Sequence, residues 1–140
     1  DIWRRMNSMG ATSQHFTESE LACHHCGVNG CTQALVDALE LFRAAVGLPV
    51  LIDSAYRCPE HNAGTPNAAK NSVHMQGEAA DIRVAGMTAR ELEAIARTIP
   101  AIRDGGIGVA PELNYIHIDV RDTAARWAYD AAGKTIPYYA

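Results

Sequence analysis

Hydrophobic positions recur at helical steps in one long stretch of the chain, "TQALVDALELFRAAVG". Leu35, Val36, Leu39, Phe42 and Val46 fall on one face, Thr32 precedes the run as an N-cap, and Gly47 follows it as a stop. The spacing predicts a helix between those two signals. Upstream, "FTESEL" sets Thr17 three residues before Glu20, the capping-box spacing for one short helical turn. Thr88 and Glu91 repeat that spacing and open a further helix over "ARELEAIARTI", which Pro100 is expected to end.

Elsewhere the apolar pattern is shorter or alternates. "PVLIDS" is rich in β-branched residues and bounded by Pro49 and a polar stretch, which predicts a buried strand. "AADIRV" predicts a second strand, and "GGIGV" and "YIHIDVR" two more, separated by the turn "APELN". Alternation in "YIHIDVR" places Ile116, Ile118 and Val120 on a core face and Tyr115, His117, Asp119 and Arg121 on the other. One such polar residue alone suits a solvated sheet face; four in succession favour a site. From Arg57 to Ser72 the composition is Pro, Gly, Asn and Ala with little periodicity. That predicts a long loop with room for a helical turn, and such loops are more often functional than idle. The pattern is α+β: a small, mainly antiparallel sheet with helices packed on it. No repeat or linker divides the chain, which is expected to comprise an N-terminal arm over residues 1–14 and a single domain over 15–140.

Composition narrows the function classes. At 140 residues, with 48% hydrophobic and 20% charged content, the chain suits one globular domain. A net charge of −4 offers no electrostatic case for nucleic acid. No apolar run approaches the ~20 residues of a membrane-spanning helix. "DIWRRMNSMG" lacks the apolar core of a signal peptide, but Asp1 in place of methionine suggests a processed or trimmed product, so export stays open.

Four cysteines are present, Cys23, Cys26 and Cys31 in "CHHCGVNGC" and Cys58 in "AYRCPEH". They could form two disulfides or a tetrahedral zinc site. Disulfides are preferred, because structural zinc sites favour two close cysteine pairs and Cys58 has no near cysteine. His24 and His25 are substitute ligands or simply solvated.

Two histidines and an aspartate stand out as convergent ligands: His74 and Asp81 in "NSVHMQGEAADI", and His117 on the polar face of its strand. Catalytic zinc is held by three protein ligands, with water in the fourth position. Gly77 allows the backbone to reverse between His74 and Asp81, and Ala79 and Ala80 are small enough for the returning segment to pass close by. Spacing alone leaves the bland alternative open, with His74 a capping residue and Asp81 a turn residue.

"SAYRCPEHN", "NSVHMQGEAADI" and "GGIGV…YIHIDVR" together resemble the peptidase M15 family of zinc D-Ala-D-Ala carboxypeptidases and murein endopeptidases. Vancomycin-resistance dipeptidases and the Hedgehog signalling domain share that metal fold. The resemblance runs from about Phe16 to Trp127. Its central element, S-x-H-x-x-G-x-A-x-D, is present as Ser72, His74, Gly77, Ala79 and Asp81.

The resemblance implies a Hedgehog/D-Ala-D-Ala peptidase-like fold, with His74, Asp81 and His117 as ligands of zinc (Zn2+). Arg57, in the S-x-Y-R element, would bind substrate and stabilise the oxyanion, with Ser72, Gln76 and Tyr115 as further substrate contacts. His61 and Asn62 either line the cleft or lie on the surface. The implied activity is hydrolysis of peptidoglycan stem peptides or cross-links, by a monomer acting in the periplasm, outside the cell or at the cell wall; a phage lysis or tail protein also fits. The general base departs from the family pattern. Three residues before His117 stands Asn114, which cannot accept a proton from water. Glu112 is the nearest upstream carboxylate and the candidate base, with Asp119 as the runner-up or as a partner that orients a ligand. The alternative is a catalytically weak, zinc-stabilised wall-binding or signalling module on the same scaffold.

Overall fold

A computed structural model describes residues 10–139. Residues 1–9, most of the predicted arm, lie outside the described residues. Helix α1 (Glu18–Leu21) starts where its capping box requires, with Thr17 Oγ1 accepting from the Glu20 N–H. Helix α2 (Gln33–Val46) runs between Thr32 and Gly47, whose φ of 70° forms a left-handed cap. After them come β1 (Leu51–Ser54), α3 (Pro59–Gly64), a 3-10 turn (Val73–Gln76) and β2 (Ala79–Arg83). The chain then forms α4 (Ala89–Ala96), α5 (Pro100–Arg103), β3 (Gly106–Ala110), β4 (Tyr115–Asp119), β5 (Ala125–Tyr129) and β6 (Thr135–Pro137). Among the described residues no helix is long and apolar enough to cross a membrane.

The strands form one six-stranded sheet in the order β1-β2-β4-β3-β5-β6. Every neighbouring pair is antiparallel except β3 and β5, which are parallel. The core lies against one face of the sheet, where Ile82, Ile107, Val109, Ile116 and Ile118 meet Leu35, Leu39 and Phe42 of α2 and Leu92 of α4. Each of these side chains contributes about 1.5–3 kcal/mol by leaving water. Ile116 and Ile118 thus occupy the face that alternation predicts, and the opposite face of β4 is free to carry chemistry.

Three expectations change. "PVLIDS" does form a strand, but an edge strand: β1 pairs only with β2, and Leu51 is half exposed rather than buried. Pro100 does not end α4, which stops at Ala96; it opens α5. A proline fits a first helical turn because its missing N–H has no intrahelical partner there. Strands β5 and β6 carry no clear apolar alternation, since "ARWAY" is only half-buried, and the sequence does not predict them.

Candidate metal centre

Antiparallel pairing of β2 with β4 sets Asp81 directly opposite His117. His74 arrives from the 3-10 turn, where Ser72 Oγ accepts its backbone N–H at 3.1 Å. The turn ends at Gly77, with a φ of 72°, and a Cβ there would stand 1.9 Å from the carbonyl oxygen of Gly30. Glycine is therefore required twice at this position, by backbone conformation and by close approach. Ala79 lies on the Asp81 side of β2, opposite Asp119, whereas Ala80 packs into the core.

One atom from each of His74, Asp81 and His117 lies within 4.8 Å of the others. His74 Nδ1 is 2.6 Å from the carbonyl oxygen of Ala55. A carbonyl only accepts, so Nδ1 carries the hydrogen and Nε2 turns a lone pair toward Asp81 Oδ1, 3.2 Å away. His117 Nε2 donates to Asp119 Oδ2 at 2.7 Å, which leaves Nδ1 facing the same Asp81 oxygen at 3.1 Å. Three acceptors on one point repel unless a cation lies among them. The donor set and the fixed tautomers fit a metal held by two imidazoles and one carboxylate.

Without a metal, protons must fill that role. Burial opposes charge on His117, but its hydrogen bonds to Asp119 and Asp81 outweigh that and raise its pKa. Burial likewise opposes ionisation of Asp81, yet the imidazoles of His74 and His117 hold its carboxyl far below the usual range.

The three groups line a cavity of about 390 Å³, together with Arg57, Tyr115, Trp127 and Tyr129. Arg57 is 8% exposed, and its Nε has no hydrogen-bond partner among the described residues. Burial lowers its pKa and the charge of Asp81 counters that. An unsatisfied buried donor costs about 1–3 kcal/mol, which an anionic or carbonyl oxygen in the cavity would recover. Burial, then the charge of Asp81, pushes the Tyr115 phenol up to about 12, and Tyr129 is raised for the same reasons.

The family model described as Peptidase M15 matches residues 14–119. The chain belongs to the peptidase M15 family. Over 51 residues it is 41% identical to a probable peptidoglycan L,D-endopeptidase, MepK, of Haemophilus influenzae, an alignment covering 36% of this chain and 26% of that protein. Over 91 residues it is 33% identical to the peptidoglycan L,D-endopeptidase MepK of Escherichia coli K12, covering 61% of this chain and 48% of the relative. The chain spans less than half the length of either relative.

In this member of the M15 family the other expected residues divide sharply. Ser72 and Tyr115 line the cavity, although the Ser72 hydroxyl is engaged in capping the turn of His74. Gln76 is exposed at the end of that turn and does not line the cavity. Glu112 is exposed in the turn between β3 and β4 and is also absent from the cavity wall. Asn114 sits there with a φ of 59°, a left-handed position that suits asparagine. Asp119 is fully buried. Its Oδ1 receives Gly106 N–H and Arg121 Nε, and its Oδ2 receives His117 Nε2 and Arg121 Nη2. A Cβ on Gly106 would stand 2.3 Å from that carboxylate. So enclosed, Asp119 orients His117 and has no free oxygen to offer water. Asn62 is buried and bonded to the Ala69 carbonyl.

Sequence reasoning missed Trp127 and Tyr129, which lie beyond the span matched by the family model. The Trp127 ring lies 5.0 Å from that of His117, tilted by 54°, and Arg121 lies over the indole at 5.1 Å. Their signal was the two-residue spacing in "ARWAY", which puts both rings on one face of β5.

The cysteines are also rearranged relative to expectation. All four are free thiols, so the preferred disulfides are not formed. Cys31 stands apart in the core, its S–H donating to the Leu21 carbonyl at 3.7 Å, and burial pushes its pKa up to about 11.

Proposed function

We propose that the chain is a zinc-dependent peptidase that hydrolyses peptide bonds of peptidoglycan, with His74, Asp81 and His117 as the metal ligands. The observation that carries this reading is the convergence of three acceptor atoms on one point of a cavity that is also lined by Arg57, whose buried Nε has no hydrogen-bond partner among the described residues. The printed activity of the MepK relatives supports peptidoglycan as substrate, and an internal bond between L- and D-configured residues as the target. Such a substrate implies action in the periplasm or at the cell wall, and the reading takes the chain as a monomer.

Zinc bound there would polarise the scissile carbonyl and acidify a bound water toward a pKa of about 7. Arg57 receives the carbonyl oxygen as it gains negative charge, a stabilisation stronger in the transition state than in the ground state. Tyr115 and Tyr129 keep their protons at neutral pH and serve as hydrogen-bond donors to the peptide rather than as bases. Trp127 closes the site beside His117 and offers an apolar face to the stem peptide. Asp119 keeps the proton on His117 Nε2, so that Nδ1 stays available as a ligand atom.

One observation favours a second reading, a zinc-stabilised wall-binding module. Asp81 is the sole carboxylate among the described residues lining the cavity, so no separate carboxylate base stands beside it. Purified monomeric and cross-linked muropeptides, digested with and without a chelator and followed by mass spectrometry, distinguish the two. The peptidase reading expects new termini that disappear with the chelator. Retention of intact muropeptides on the metal-loaded protein, without cleavage, supports the binding module and overturns the peptidase.

A further inference from the structure

Away from the cavity, Cys23, Cys26 and Cys58 bring their sulfur atoms within 4.8 Å of one another. A tetrahedral zinc with Zn–S near 2.3 Å and Zn–N near 2.0 Å sets ligand atoms roughly 3.5–3.8 Å apart, a spacing the three thiols reach with at most small side-chain adjustments. His61 Nδ1 lies 3.3 Å from Cys23 Sγ, and His25 Nδ1 lies 3.5 Å from Cys58 Sγ.

The backbone is organised around these sulfurs. Cys23 and Cys26 flank a tight reversal closed by Gly27 N–H donating to the Cys23 carbonyl at 2.9 Å and Cys23 N–H donating to the Val28 carbonyl at 2.8 Å. Cys23 Sγ accepts the N–H groups of His25 and Cys58, each at 3.4 Å. Cys58 Sγ caps α3 by accepting the N–H of His61 at 3.4 Å. Backbone N–H groups aimed at sulfur favour the thiolate form that binds metals. In sequence the four groups form two close pairs, C-x2-C at Cys23 and Cys26 and C-x2-H at Cys58 and His61. The partner that Cys58 lacks among the cysteines is a histidine one helical turn away.

We propose that Cys23, Cys26, Cys58 and His61 form a second, closed metal site of the tetrahedral sulfur-rich kind that takes zinc. Four protein ligands leave no open position for water, so the ion is structural. It ties the 23–26 turn to the segment leading into α3. That segment carries the Ala55 carbonyl that holds His74, and Arg57, whose backbone N–H donates to the His74 carbonyl at 3.2 Å. The site therefore braces the wall of the catalytic cavity without contributing to the chemistry, and it stands whether or not the substrate is peptidoglycan.

The test is metal content of the full chain by native mass spectrometry after equilibration with zinc, repeated with cobalt(II) and read by absorption. Wild type is expected to hold two ions, and cobalt to show the intense near-ultraviolet charge-transfer band that thiolate ligation produces and a His–Asp–His site cannot. Cys26 is exposed, so Cys26→Ser disturbs no packing; it is expected to lose one ion, the thiolate band and part of the thermal stability. His74→Ala is expected to lose one ion and keep the band. His61→Ala should weaken cobalt retention at the sulfur site, whereas His25→Ala should not. Two ions retained in Cys26→Ser, or a denatured mass two hydrogens lower with two thiols missing from titration, overturns the site in favour of a disulfide or isolated thiols. Loss of cobalt in His25→Ala but not in His61→Ala overturns the assignment of the fourth ligand.

Discussion

The two polar clusters of this fold recruit different donors into different surroundings. At His74, Asp81 and His117 the donors are nitrogen and oxygen, three in number, and they open onto a cavity with Arg57 at its wall. At Cys23, Cys26 and Cys58 the donors are sulfur, His61 stands beside Cys23 as the proposed fourth ligand, and none of the cysteines lines that cavity. Catalytic metal sites keep a position open for water, while structural sites close it with a fourth protein ligand. The contrast teaches that ligand count and access, rather than the capacity to bind a metal, separate a reactive centre from a brace. The bracing cluster nonetheless borders the reactive one through the segment from Ala55 to Cys58.

The comparison breaks most visibly if both clusters respond alike. Asp81→Ala or His117→Ala is expected to reduce muropeptide cleavage to background with the fold intact by circular dichroism, whereas Cys26→Ser should retain turnover at a lower melting temperature. Equal loss of turnover in both would erase the distinction. Arg57→Ala should keep both metals and lower kcat/KM by about 10²–10³-fold, the usual cost of removing one donor to a developing oxyanion. Asp119→Asn should weaken metal binding at the cavity by about 10–100-fold, as loss of a ligand-orienting carboxylate does, and leave cobalt at the sulfur cluster unaffected.

Acidity sharpens the comparison further. His117 in the metal-stripped protein has a pKa above its ordinary 6.5, because the bonds to Asp119 and Asp81 overcome burial. A raised folded pKa gives stability that is complete below about 6.5 and lost as pH rises through the higher folded value. Metal binding needs the deprotonated ring, so it has the opposite slope and strengthens over the same interval. Melting curves should thus show the stripped protein weakening, and the gap to the metal-loaded protein widening, as pH rises through that window. The smallest effect is expected at Glu112. Exposed and off the cavity wall, its Gln variant should leave turnover unchanged; a large loss would mean that the β3–β4 turn moves over the site.

Much of the reactive centre is visible in local patterns. The spacing of Ser72, His74, Gly77 and Asp81 encodes a capped turn feeding a strand, and the alternation of "YIHIDVR" separates core from chemistry. Those features obey periods set by backbone geometry. Glu112 shows the limit: its nearness in sequence to His117 says nothing about where a four-residue turn points. Trp127 and Tyr129 were hidden because their strand joins the sheet beside β3 through long-range pairing, and its half-buried residues mix arginine with aromatics. The cysteines left two readings open, disulfides or a metal site, because cysteine spacing alone does not show which sulfurs meet; the fold brings Cys58 to Cys23 and Cys26 and leaves Cys31 in the core. Leu51 shows that a short apolar run announces a strand without saying whether it lies at the sheet centre or the edge.

The central claim is that His74, Asp81 and His117 converge because a catalytic cation belongs between them. Its most direct test is a zinc titration of metal-stripped protein, with cleavage of a cross-linked muropeptide followed at each addition. The account predicts no cleavage before metal, activity rising in step with occupancy of the one equivalent that Asp81→Ala fails to bind, and saturation once it is filled. Full turnover by the stripped protein, or by Asp81→Ala at any zinc concentration, would contradict it.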